Sequence, residues 1–238
     1  MKTAKILCAS ITFGTLLASA PVFAAPAYSA TIPPSATLKY QVTASYNGMS
    51  LSGTSVMNWK TNLWTYSLQD SCSVNFFGNV LNASSSGTVD NRGLAPSNYA
   101  ETKMHKRFSA AISQSKRQYM PSDGDEYVTF NSRAQDHSSV VWHLSAIANA
   151  NKGAFASGSY YTIPVIGHRH VKNWTFRAVK QETISTPAGR FNTVVISGSN
   201  GKNQTMQIWY AKDNYYYPVQ LYLNSGSFST RQTLSSIR

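Results

Sequence analysis

The chain has 238 residues, 42% of them hydrophobic and 13% charged, with 21 lysines and arginines against 9 acids and a formal net charge of +12. That apolar content suffices for a packed core and excludes an intrinsically disordered chain. Two cysteines exclude a disulfide scaffold, and beyond the N-terminus no apolar run reaches the ~18 residues of a membrane-spanning helix.

Lys2 and Lys5 precede an apolar stretch from Ile6 to about Ala20, and Pro21-Val22-Phe23-Ala24 brings small residues to a cleavage position. This pattern predicts a secretory signal peptide over residues 1–24, cut after Ala24, and hence a periplasmic protein. Lys5, three residues before Cys8, stands where lipid attachment wants an apolar side chain, so Cys8 is not read as a lipidation site. Cleavage leaves 19 cations against 9 acids, and Cys72 as the one remaining cysteine. Cys72 is read as a buried, inert thiol. Residues 25–36 read as an N-terminal leader, because their prolines oppose a helix, and 37–238 as a single β-rich domain.

From Leu38 onward the dominant period is two, the mark of strands with one buried face. Leu38, Tyr40, Val42, Ala44 and Tyr46 share one side, and Lys39, Gln41 and Thr43 the other. Asn47-Gly48 is a hairpin turn leading into a strand from Leu51 through Met57 and Trp59. Trp64, Tyr66 and Leu68 repeat the alternation, as do Phe108-Ala110-Ile112, Tyr161-Ile163-Val165, Trp174-Phe176-Ala178, Met206-Ile208-Tyr210 and Val219-Leu221-Leu223. Thr186-Pro187-Ala188-Gly189 and Gly198-Ser199-Asn200-Gly201 are further turns. One stretch departs from this period: Asp136 caps a predicted helix over about 137–149, with Val140, Leu144, Ile147 and Ala148 on an apolar stripe and Gly153 just past its end. The fold class is therefore mainly all-β, a curved antiparallel half-barrel or sandwich of about a dozen strands. It is built as two sub-sheets with one central helix, which packs on a sheet or closes a barrel end.

Gln135-Asp136 leading into that helix, Ile163-Pro164-Val165, Trp174-Thr175-Phe176 with Glu182, Thr186-Pro187-Ala188-Gly189-Arg190-Phe191, Trp209-Tyr210-Ala211, Tyr217-Pro218-Val219 and Gly93-Leu94-Ala95-Pro96 follow one another in a familiar order. Over roughly residues 38–235 the chain resembles the exported bacterial proteins of domain-of-unknown-function family 3108. The resemblance implies a periplasmic, curved half-barrel similar to small exported proteins linked to capsule export. It implies no reaction and supplies no catalytic residue. The matching residues also have an architectural reading, in which Glu182 pairs with Arg190 across a hairpin.

Among candidate sites, His168 and His170 share a strand face at a spacing that suits a metal, but two ligands are too few, and solvated loop histidines explain them. Asp123, Asp125 and Glu126 fall in a Pro-Ser-Asp-Gly-Asp loop that reads as a turn, not as a calcium or acid–base site. No Ser-His-Asp set, phosphate loop or nucleophile elbow is visible, so no catalytic residue, metal or cofactor is assigned. The aromatic residues Trp174, Tyr210 and Tyr217 are the candidate ligand contacts, because a ring with a polar edge suits an acyl chain or a sugar. The cations, Lys116 and Arg177 among them, read as a wet strand face, with a surface or groove for an anionic lipid, lipopolysaccharide or acidic polysaccharide as the alternative, and nucleic acid is disfavoured. Three readings follow: a noncatalytic carrier of an envelope lipid or glycan, an assembly protein binding an envelope protein through a strand edge, or an envelope glycan hydrolase. The last requires two carboxylates about 5–10 Å apart across a groove.

Overall fold

The computed structural model describes residues 30–156, 158–201, 204–226 and 228–238. The expected signal peptide and the start of the leader lie outside the described residues. Strands β1 (Ala36–Tyr46), β2 (Met49–Thr61), β3 (Thr65–Val74), β4 (Gly78–Asp90), β5 (Gly93–Lys103), β6 (Lys106–Ser113), β7 (Gln118–Pro121) and β8 (Val128–Thr129) precede helix α1 (Ser139–Ala150). Strands β9 (Tyr160–Ile166), β10 (Val171–Thr186), β11 (Gly189–Ser199), β12 (Gln204–Ala211), β13 (Pro218–Ser225) and β14 (Phe228–Ile237) follow it.

All 14 strands form one antiparallel sheet in the order β8-β7-β6-β5-β4-β3-β2-β1-β14-β13-β12-β11-β10-β9. The chain starts in the middle, runs out hairpin by hairpin to one edge, and crosses to the other edge through α1. It then returns until β14 lies beside β1. The two expected sub-sheets are thus halves of one continuous sheet, joined because Tyr40 to Tyr46 pair with Leu234 to Phe228. Register shifts at Lys39/Tyr40, Cys72/Ser73, Ser86/Gly87, Ala178/Lys180 and Trp209/Tyr210 add bends. Bulges sharpen the twist of a sheet and let it curl.

The curl brings the edges together without a ladder between them. Gln135, just before α1, makes a parallel bridge to Val165 of β9: its N–H donates to Pro164 O at 2.8 Å, and Ile166 N donates to its carbonyl at 2.8 Å. Tyr119 Oη of β7 donates to Gly167 O at 2.9 Å. The result is an open half-barrel with a stitched seam.

Alternation is clearest on β1, where Leu38, Tyr40, Val42 and Ala44 are buried while Lys39, Gln41 and Thr43 face out. Two aromatic positions depart from it. Trp64 belongs to the β2–β3 turn and Tyr46 to a strand end, and both are exposed. The helix departs from the one-stripe expectation too, since every residue from Ser139 to Ala148 is buried. A helix apolar on all sides belongs inside a core, and α1 lies within the curl. Trp142 stacks on Trp59 with ring centroids 4.4 Å apart. His143 Nδ1 accepts from Leu94 N at 3.2 Å, and Ser145 Oγ donates to Tyr216 O at 2.7 Å. Asp136 acts as the predicted cap, its Oδ1 accepting from Ser138 N and Ser139 N at 2.9 and 2.8 Å. The described end of the leader seals this lower rim: Thr31 N donates to Ala146 O at 2.9 Å, and Trp59 Nε1 to Pro33 O at 3.0 Å.

Candidate functional site

The concave face has three tiers. The lower one is filled by α1. Above it lies a polar tier built by an alternation that puts Tyr66, Leu68, Asp70, Cys72 and Val74 of β3 on the inner side. Asp70 accepts from Ser55 Oγ at 3.2 Å, and burial pushes its carboxyl up to about 6. Asp136 accepts from Ser85 Oγ at 2.6 Å, and Ser85 Oγ lies 2.9 Å from Tyr66 Oη. Burial raises the Asp136 carboxyl to about 6 against the opposing hydrogen bonds of Ser85 and Ser139. Glu101 Oε2 accepts from Tyr99 Oη at 2.8 Å, and Oε1 lies 3.0 Å from His168 Nε2. Burial opposes its ionisation, but Tyr99, His168 and His137 outweigh burial and hold its carboxyl below the usual range. Asp70 and Asp136 are each engaged by a serine of their own.

The upper tier is apolar. Val42, Cys72 and Val74 form a buried cluster with Leu51, Val80 and Leu81 partly buried around it. This cluster stands beside the hairpin ends β1–β2, β3–β4 and β5–β6, on the rim away from α1. That rim exposes Tyr46, Met49, Phe76, Phe77 and Met104. Lys103 Nζ reaches across the mouth to 5.7 Å from the Phe228 ring centroid. The outer face is different in kind: two shallow grooves of about 370 and 340 Å³ cross β2 to β6, with outward Ser67, Gln69, Ser84, Asn98 and Ser109 among their walls.

Trp174, Tyr210 and Tyr217 lie in the core around the lower tier. Tyr210 Oη donates to Val141 O at 2.6 Å, Tyr217 Oη donates to Pro34 O at 2.9 Å, and Trp174 packs on Phe176 and His137. The structure brings the two tyrosines together around α1 and places none of the three at the open end. His168 is not a free loop imidazole: besides Glu101 it stacks on Phe108 at 4.3 Å. Asp123 faces Arg169 at 3.6 Å. The expected Glu182–Arg190 pair does not form, because Glu182 turns to Lys180 Nζ at 2.9 Å and accepts from Trp209 Nε1 at 2.6 Å. Asp70 and Glu101 were missed in the sequence reading. Their signal was an acid in the apolar register of a strand. Among the described residues no group of three or more His, Cys, Asp or Glu is placed to hold a metal ion.

An open antiparallel sheet curled around an internal helix defines the class, a β-barrel-like half-barrel. The same fold occurs in a β-barrel-like protein of domain of unknown function DUF1849 from Brucella abortus, with a TM-score of 0.57 and 13% identity over 87% of this chain and 98% of that one. A putative lipoprotein from Parabacteroides distasonis covers 90% of this chain and 100% of its own, with 11% identity and a TM-score of 0.36. Lipoprotein LppX of Mycobacterium tuberculosis covers 83% and 85%, with 12% identity and a TM-score of 0.26. Curated proteins give no match. The model of the family described as Protein of unknown function (DUF3108) matches residues 39–230, and the chain belongs to that family.

Proposed function

We propose that the protein is a noncatalytic binding or carrier protein of the cell envelope that holds the acyl chain of a lipid at the open end of its concave face. The observation that carries this reading is the upper tier: a buried aliphatic cluster of Val42, Cys72 and Val74, with Leu51, Val80 and Leu81 partly buried against it, that is separate from the core packed on α1 and stands next to an apolar rim. An apolar concavity with a few polar groups at its floor is the usual form of a small-molecule site. Ser55 and Asp70 stand at that floor. Trp174, Tyr210 and Tyr217 belong to the helix-packed tier, so this reading moves the ligand contacts to the aliphatic residues. Export through a signal peptide at residues 1–24 forms part of the proposal. An anionic lipid is the ligand class that suits the excess of cations.

The edges of the sheet weigh against assembly by strand addition. β8 has only two residues, and β9 is bridged by Gln135. Short or covered edges are how sheets avoid pairing with other chains. The serine partners of Asp70 and Asp136 weigh against a hydrolase, which needs two carboxylates facing one substrate.

Solvent extraction of the purified protein followed by mass spectrometry, together with titration of a fluorescent fatty acid, tests the reading. A bound acyl lipid and saturable uptake, weakened by V74R and by V42W, are expected. An empty extract with no saturable uptake overturns it.

A further inference from the structure

We infer that the rim formed by the β1–β2, β3–β4 and β5–β6 hairpins is a docking surface for an anionic phospholipid bilayer. These three tips are neighbours in the sheet and point the same way, since every second turn of an antiparallel meander falls on the same rim. Met104 N donates to Val80 O at 3.0 Å, which ties the β5–β6 tip to the next hairpin. On them Phe76 is 99% exposed, with Phe77, Met49 and Met104 more than half exposed and Tyr46 slightly less. Scattered apolar residues on a surface need no explanation, but a cluster on adjacent tips marks an interaction site.

The backbone holds these side chains outward at a cost. Asn47-Gly48 takes the left-handed conformation that such a hairpin needs with the residues that tolerate it. Met104 and His105 take it as well, with φ of 47° and 68°, and Phe76 stands at 69°. Met and Phe avoid this conformation, whereas Asn and His tolerate it better. No packing within the fold takes up the ring of Phe76.

The occupant follows from charge. Residues 45–50, 74–79 and 103–107 contain no acid, and Lys103, Lys106 and Arg107 sit at the last tip. Glu101 nearby is turned inward to Tyr99 and His168, and Asp123 on the β7–β8 loop faces Arg169, leaving Asp125 and Glu126 on that loop. Apolar side chains that enter the headgroup layer, flanked by cations, match an anionic membrane surface. The docked orientation turns the open end of the concave face toward the lipid. This deepens the carrier reading and rests on it for its purpose, though not for its geometry.

The test uses F76W in the full chain, with vesicles of phosphatidylcholine alone and with about one-third phosphatidylglycerol. Of the five native tryptophans, Trp59, Trp142, Trp174 and Trp209 are buried, and Trp64 lies on the opposite rim. A blue shift of the F76W difference emission with the anionic vesicles, reversed by salt, is expected, while Trp64 does not shift. K106Q and R107Q each weaken binding by about fivefold and F77S by about tenfold, with the thermal transition unchanged. No F76W shift, or a shift at Trp64 instead, overturns docking by this rim. Extracted lipid without an F76W shift removes the docking inference alone, and an F76W shift with an empty extract and no saturable fatty-acid uptake removes the carrier reading alone.

Discussion

Trp142 of the internal helix stacks on Trp59 of β2 with ring centroids 4.4 Å apart and planes 8° from parallel, and its Nε1 lies 3.2 Å from Met57 Sδ. This pair fastens α1 to the sheet, because both rings are fully buried and Trp59 Nε1 in turn holds the leader at Pro33. Replacing a buried aromatic by Ala leaves a cavity as well as losing transfer energy. W142A is therefore expected to lower stability by about 3–5 kcal/mol in a urea titration, and W142F by less, since it keeps a ring against Trp59. A loss under about 1 kcal/mol for W142A would mean that the helix is not the core of the half-barrel.

Asp70 gives a pH signature with a defined sign. Burial places its folded pKa at about 6, whereas an exposed aspartate ionises near 3.9. Over the interval between these values the folded chain keeps a proton that the unfolded chain has released. Stability from this group is thus present at low pH and lost as pH rises toward 6. Asn at this position still accepts from Ser55 Oγ and carries no charge. D70N is expected to exceed the parent by about 2 kcal/mol at pH 7, with the advantage vanishing near pH 4. His143, which burial holds down at about 3, costs both proteins stability as pH falls below the ordinary imidazole value, so the comparison is made between the two at each pH. An advantage that grows toward low pH would contradict a buried, raised Asp70.

Much of the fold was legible because one buried face leaves a period of two: Leu38 to Ala44 and Phe108 to Ile112 announce their strands, and Val140, Leu144, Ile147 and Ala148 their helix. Nothing in residues 38–46 marks 228–237 as their partner, because that pairing closes the chain's longest loop and is decided by the packing of the whole sheet. Asp136 was readable as a cap, since a short acidic side chain before an apolar helix has few other uses. Trp174, Tyr210 and Tyr217 could not be sorted into core or ligand wall, because the same rings serve either. The upper rim was hidden for another reason. Asn75-Phe76-Phe77-Gly78 is a turn, where alternation ends and side-chain direction is set by backbone φ.

Gly93 shows how tightly the helix is seated. Its φ is +93°, and a Cβ there would stand 2.7 Å from His143 Nδ1, the atom that accepts from Leu94 N. G93A imposes both a left-handed strain and an overlap with a buried ring. It is expected to cost about 2–4 kcal/mol by chemical denaturation, and less in combination with H143A, which removes the overlap but not the strain. Equal costs in the two backgrounds would show that the imidazole is not what Gly93 makes room for.

Cys72 reports on the open end from within. It clusters with Val42 and Val74 in the aliphatic tier, level with Ser55 of β2, and burial, with Asp70 adding to it, pushes its thiol up to about 11. Only the thiolate attacks a maleimide, so the rate at pH 7 is expected to be about a hundredfold or more below that of the unfolded chain, and to rise about tenfold per pH unit. Peptide mapping assigns the label to Cys72 and separates it from Cys8 in any chain that retains its first residues. An acyl ligand in this tier lies against the same sulfur. Adding a fatty acid should slow labelling of Cys72 further without changing the global unfolding rate of an unliganded control. Labelling that is fast at neutral pH, or indifferent to fatty acid while fatty acid binds, would place the ligand elsewhere on the molecule.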